Sequence, residues 1–561
     1  MRSLSIALML VLPVALPVTA HAAWPLDGNP LCTAVNDQQF PTIVSDGAGG
    51  AIVTWSDARG GATKDIYAQR VSAAGIPQWT ADGVAICTAA GDQWEPKLTT
   101  DGAGGAIVTW YDYRGGATSD IYAQRVDAAG IPQWTADGVA ICTATTDQLP
   151  TGIVSDGAGG GIVTWHDLRS GANYDIYVQR VNAAGIPQWT ADGLDICNAA
   201  SNQTLPMIAS DGAGGAIVTW QDTRGGGNND IYAQRVSDLG VPQWTANGVV
   251  LCGLSAGQID PTIVADGAGG AIVTWFDGRS GARGVYVQRV SDLGVPQWTA
   301  DGVALKTATT NQATTPMIVS DGAGGAIVTW MDNRSVTSYD IYARRVSDLG
   351  VAQWAANGVA LCTAADNQYF PKLVPDGAGG AIVTWSDARS GTISDIYAQR
   401  VSTLGVPQWT ADGISLSTGV TDKISPMIES DGAGGAIVTF QDYRSGFSDI
   451  YAQHINASGE IPTAVSGPAR GPALLVGQVY PNPFAASAWM DVELATPSAV
   501  RIDVFDVAGR RVRAMTLGNV TSQRVEFDGR DNANRLLPSG VYFYRVKAAG
   551  ETITRKMVIA R

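Results

Sequence analysis

Between Phe40 and Thr88 the apolar residues arrive in four short bursts rather than at helical spacing. The bursts are "FPTIVSDG" (Phe40 to Gly47), "GAIVTWSDAR" (Gly50 to Arg59), "DIYAQRVS" (Asp65 to Ser72) and "QWTADGVAICT" (Gln78 to Thr88). Each is rich in Val, Ile, Thr and aromatics and bounded by Gly, Asp or Pro, which predicts strands joined by tight turns. No segment carries the period of an amphipathic helix. "SDGAGG" supplies the first turn, because Asp46 can bond its own backbone and the glycines accept positive φ at little cost.

This pattern has a period of 55 residues: "DGAGGAIVTW" at Asp46 returns, nearly unchanged, at Asp101, Asp156, Asp211, Asp266, Asp321, Asp376 and Asp431. A period held so strictly belongs to the structure, since a lone functional loop needs to be written only once. Four strands per unit in eight units is the arithmetic of a propeller blade, whereas β-solenoid coils are much shorter. The ends sharpen the reading. The chain starts partway through a unit, with "WPLDGNPLCTAVNDQ" at Trp24 matching "WTADGVAICTAAGDQ" at Trp79, and the eighth unit stops after its third strand, near Gly459. The predicted fold is therefore all-β: an eight-bladed β-propeller of four-stranded blades, closed by the N-terminal strand so that both open edges are paired. Two repeating sets of large aromatics fit such an inter-blade core. One runs from Trp55 to Phe440 in the second strands; the other, from Trp24 to Trp409, opens the fourth.

Composition adds where the protein acts. Arg2, the apolar run Leu4 to Val18 and the small residues Ala20 and Ala22 read as a signal peptide over residues 1–22. No later run is long enough to predict a transmembrane segment. The net charge of −15 argues against nucleic acid as a partner. The excess acid lies before Gly467, and the last hundred or so residues are richer in Arg and Lys, which predicts a second domain. The expected division is a propeller over 23–459, a Gly/Pro/Ala/Ser-rich linker over 460–473 and a small antiparallel sandwich over 474–561.

Six cysteines in an exported chain suggest disulfides. They fall, however, at one repeat position, Cys32, Cys87, Cys142, Cys197, Cys252 and Cys362, with Lys306 and Ser417 in the other two copies. Equivalent outer-strand positions on neighbouring blades stand roughly 15 Å apart, beyond the roughly 7 Å a disulfide tolerates. Six unpaired, buried thiols are expected.

A binding site is expected on one face. The turns "DGAGG" and "AAGIPQW" or "DLGVPQW" hardly vary, whereas the second-to-third and blade-to-blade turns at the opposite end vary freely. Aromatics on the variable turns are candidates to stack on sugar rings or partner side chains: Trp94, Tyr111, Tyr174, Tyr339, Tyr369 and Phe447, with Phe40 nearby. Each copy also carries Asp and Arg in "W-x-D-x-R" and, except in the fifth, an Asp before "IY" or its equivalent, as in Asp57, Arg59 and Asp65. An Arg fork between two carboxylates would tie the turn down; a ring of Asp about a calcium ion is the alternative. No catalytic residue, metal ligand set or cofactor motif is assigned. Glu occurs in the repeats only at Glu95 and Glu429, with Glu460 at their exit, and the histidines left after signal cleavage, His166 and His454, occupy different repeat positions.

Two resemblances follow. "SDGAGGAIVTW" loosely resembles the Asp-box "S-x-D-x-G-x-T-W" of bacterial secreted sialidase-like propellers, which implies architecture and not activity, because no arginine triad or Tyr–Glu pair stands out. "VYPNPFAASAWMDVEL", "VRIDVFDVAGRRVRAM", "VEFDGRDNANRLLPSGVYFYRV" and "TRKMVIAR" resemble the FlgD/Vpr immunoglobulin-like domain, which overlaps with the C-terminal sorting domains of type IX secretion cargo. That resemblance implies recognition by the type IX secretion machinery and a secreted or outer-cell-surface location. The expected function is a non-enzymatic propeller binding an extracellular carbohydrate or protein. The alternatives are an extracellular glycan hydrolase and a structural surface protein without a specific ligand.

Overall fold

The computed structural model describes residues 24–307, 313–462, 474–476, 479, 482–548 and 551–561. The expected signal peptide and residues 463–473 of the expected linker lie outside the described residues. The chain falls into two compact units, within 21–464 and 465–561, and the described residues hold strands and turns without a helix.

The first unit is a succession of four-stranded antiparallel sheets, eight among the described residues. Sheet 1 consists of Gln38–Ser45, Ala51–Asp57, Asp65–Val71 and Val84–Cys87 in that spatial order. The pattern explains the strands: every residue of Ala51–Asp57 is buried, as suits a strand covered on both faces, with Trp55 fully enclosed. Sheet 8 takes its first three strands, Lys423–Ser430, Ala436–Asp442 and Asp449–Ile455, from the end of the repeats and its fourth, Asn29–Cys32, from the start. The pairing is antiparallel, with Asn29 opposite Ala452 and Cys32 opposite Ile450. Cores form between successive sheets; Trp55 of sheet 1, for example, packs with Leu31, Cys32 and Ile450 of sheet 8.

Two local expectations change. The fourth strand starts at Val84, not at Gln78, because Trp79 leaves the sheet to meet its neighbour. Its Nε1 donates to the carbonyl of Ala128 in sheet 2 at 3.1 Å, and its ring lies where a side chain on Gly130 would stand. Arg59, in turn, forks differently. It pairs with Asp57 at 2.6 Å and donates to Cys32 Sγ and to the Asp82 carbonyl, with its guanidinium 3.7 Å over the Tyr67 ring. Asp65 takes no part in that ion pair.

The six cysteines are free and buried, as expected. Burial pushes the thiol of Cys87 up to about 12, so these groups are inert small hydrophobes. Each packs against the next sheet's Asp and Arg, as Cys32 does against Asp57 and Arg59. Where Lys306 replaces cysteine, its ammonium lies 3.4 Å from Asp332.

The described residues of the second unit form one five-stranded sheet: Leu474–Val476, Ala488–Asp506, Gly540–Ala548 and Glu551–Ile559 in order, with Arg511–Phe527 also paired to Ala488–Asp506. The layers expected of a sandwich are thus not separate sheets. The two longest strands shift register between Glu493 and Ser498, and one core gathers Met490, Val504, Phe527, Tyr544 and Met557.

Candidate functional site

The near-invariant turns are explained by structure alone. Asp46 Oδ1 accepts the backbone N–H of Ala48 and of Gly50, both at 2.8 Å, while Oδ2 accepts from Arg70 at 2.9 Å. Arg70 reaches on to the Ala128 carbonyl, the acceptor of Trp79. This latch between neighbouring sheets recurs around the unit, with His454 replacing arginine at Asp431. A Cβ on Gly50 would stand 2.3 Å from the Val71 carbonyl oxygen, so the last glycine of the turn admits no substitute. The same face carries exposed apolar tips that the sequence reading missed: Ile76, Ile131 and Ile186, then Leu–Val pairs from Leu239 and Val241 through Leu404 and Val406, with Leu239 78% exposed.

On the variable face the six candidate aromatics form separate groups. Trp94, in the first strand of sheet 2, lies directly opposite Tyr111 of the second. With Asp92, Glu95 and Tyr113 they line a cleft of about 360 Å³. Lys64, from the turn of sheet 1, places its ammonium 3.6 Å over the Trp94 ring, and Phe40 stands 5.8 Å from that ring. Burial pulls the Lys64 ammonium down and pushes the Tyr111 hydroxyl up. Tyr369 of sheet 7 lies 6.4 Å from Tyr339 of sheet 6 and 6.0 Å from Phe370. Beside that pair, Arg334, Ser335, Ser338, Asp340 and Thr363 contribute to a cleft of about 510 Å³. The Tyr174 ring meets that of His166 edge-on at 5.0 Å, and Phe447 stands exposed.

Lys64, Glu95 and Phe370 belong to these groups but were not among the expected binding residues. One signal was available: Phe40, Glu95 and Phe370 share the position before a first-strand proline. The structure holds them in left-handed conformations, φ 56, 46 and 53°, at a bulge that turns the side chain out of the sheet. Stacking rings, a cation and carboxylates around an open cleft suit the recognition of a sugar or of a peptide side chain.

The aspartates before "IY" form no metal cage; among the described residues no three His, Cys, Asp or Glu side chains gather to hold an ion. Burial instead raises the carboxyls of Asp65 and Asp449 to about 6. Burial also lifts Glu429 to about 7.

Residues 478–560 match the family model of the secretion system C-terminal sorting domain. The chain is an exported protein, secreted or held at the cell surface. No helix among the described residues is long and apolar enough to cross a membrane. Comparison of the exported chain with curated proteins finds no match. Among solved structures it is similar to a protein of unknown function from Dyadobacter fermentans, at 9% identity over 75% of this chain and 95% of that one, TM-score 0.35. An ulvan lyase is 11% identical over 69% and 97% of the two chains, TM-score 0.43. A Hadza microbial sialidase is 13% identical over 54% and 65%, TM-score 0.30.

Proposed function

We propose that the eight sheets form a closed eight-bladed propeller that binds an extracellular carbohydrate or protein through its variable face and is not an enzyme. The sorting domain hands the chain to type IX secretion machinery. The observation that carries the binding reading is the cleft of Trp94 and Tyr111 with Lys64 over the indole: an accessible ring, a cation and acceptors in one place, beyond the inter-sheet latches. Near-identical blades oppose the assembly of unlike catalytic groups, whereas a multivalent binder gains from repetition through effective concentration. A glycan array probed with the mature chain and with Trp94→Ala and Tyr369→Ala tests this. Binding reduced in both variants supports it; turnover of a bound glycan contradicts it and favours the hydrolase reading.

The apolar tips favour a second reading, a structural layer in which the near-invariant face packs on another copy of the chain. Their eleven side chains expose on the order of 1,000 Å² in all, against the roughly 800 Å² that each side of a standard interface buries. Light scattering of the mature chain, with Leu239→Asn and Leu293→Asn as the control variant, tests it. A dimer lost in the variant supports stacking, and a monomer at all concentrations rules it out.

A further inference from the structure

One level of the first strands changes character from sheet to sheet. Opposite the threonine of each "VTW" or "VTF" the copies carry two Thr, three Met, one Gly and two Lys, Lys97 opposite Thr109 and Lys372 opposite Thr384. Successive first strands adjoin one another, sheet 2 beside 1, 1 beside 8 and 8 beside 7. The two lysines therefore stand at one height on strands that surround a common axis in the proposed ring.

Neither ammonium is neutralised as the two repeated arginine classes are. The Arg70 class and the Arg59 class each meet a buried aspartate within 3.0 Å. Lys372 Nζ has only the Met317 thioether, at 3.9 Å, and among the described residues no ion pair. Lys97 Nζ reaches Glu95 at 4.0 Å, and a third of its side chain is exposed. Burial, and then the positive charge of Lys97, hold the Lys372 ammonium down at about 8. A chain of net charge −15 has carboxylates in excess, yet places two cations within each other's field without a full partner. An oxyanion between them would relieve both the desolvation and the repulsion.

We propose that Lys97 and Lys372 form an oxyanion site on the axis of the ring, taking a carboxylate or sulfate group. It rests on the ring proposed above, and it adds to the variable face a preference for anionic ligands. Methionine occupies the same level in three other sheets, so Lys97→Met and Lys372→Met put a native residue of the repeat at the site.

The test uses the mature chain with inorganic sulfate, an oligouronate, a sulfated oligosaccharide and a neutral oligosaccharide, read by calorimetry and by NMR of ¹³C-dimethylated lysines. Anionic ligands are expected to bind at least tenfold more weakly to either variant, and to move the Lys372 titration upward in the parent. The uronate and sulfate arms show which group is preferred. Sulfate alone separates this site from the aromatic cleft: a Lys372 shift with sulfate, without any glycan binding, upholds the site and refutes the glycan reading. Anion affinities equal in parent and variants, or a Lys372 titration that no anion moves, overturn the proposal.

Discussion

Trp24 Nε1 donates a 3.2 Å hydrogen bond to the carbonyl oxygen of Ala73. Trp24 precedes the strand that completes sheet 8, and Ala73 lies in a turn of sheet 1, so this bond links those two sheets, while the pairing of Asn29 with Ala452 joins the two ends of the repeats. The same bond joins Trp79 to Ala128 and Trp409 to Ala457. Removing residues 24–35 should therefore cost far more than removing a frayed end, since it strips sheet 8 of its fourth strand and opens an edge. Thermal unfolding of the mature chain is expected at a markedly lower temperature after that truncation, and Trp24→Ala alone should cost about 3–5 kcal/mol. An unchanged transition would mean that the N-terminal strand seals nothing.

Glycines of one repeat should differ sharply in tolerance. Gly102 has φ +74° and nothing within 4 Å of an added Cβ, so Gly102→Ala should cost only the left-handed backbone penalty, about 1–2 kcal/mol. Gly130 has φ +83° and an added Cβ 2.7 Å from Trp79 Cγ, so Gly130→Ala should cost about 3 kcal/mol or more by displacing the indole. Urea midpoints of the two variants give the comparison.

His166 should make the protein acid-sensitive. Its ring is buried, Nδ1 has no hydrogen-bond partner among the described residues, and burial holds its pKa down at about 4. The unfolded chain takes up a proton near pH 6.5 that the folded chain refuses, so stability is lost as pH falls from about 6.5 to 4. His166→Gln, with the residue present at Gln221 and Gln441, should flatten that part of a stability–pH profile.

Asp449 should act in the opposite sense. It is buried with one carboxylate oxygen that has no partner among the described residues, and burial lifts it to about 6 from the ordinary 3.8. The folded chain then binds a proton more tightly than the unfolded one, so its contribution is favourable at low pH and is lost as pH rises through about 6. Asp449→Asn should be more stable than the parent at pH 7.5, and the difference should shrink toward pH 4. Gly284 at the equivalent position in sheet 5 shows that the strand forms without this carboxylate.

Much of the architecture was legible because repetition multiplies a weak signal. A single "GAIVTW" is an ambiguous apolar run, but eight copies at one spacing fix strand, turn and unit together. The partial units at Trp24 and Gly459 likewise pointed to the pairing seen between Asn29 and Ala452. Contacts that cross from sheet to sheet were not legible. Trp79 reads as the first residue of a strand, and only the neighbouring sheet's Ala128 draws it out. Lys64 and Trp94 are 30 residues apart and meet because adjacent turns converge. The near-invariant turns read as inert scaffold, while their tips at Leu239 and Leu404 are among the most exposed apolar residues of the chain. A repeat shows which residues are equivalent, not which of them face solvent.

The proposed binding through the variable face is tested most directly by hydrogen–deuterium exchange of the chain from residue 24 with and without the tightest-binding glycan from the array. Protection is expected in 60–64, 89–96, 335–339 and 364–371, around Lys64, Trp94, Tyr339 and Tyr369. Protection confined to the turns at 73–78 and 238–243, with these segments unchanged, would contradict the assignment of binding to the variable face.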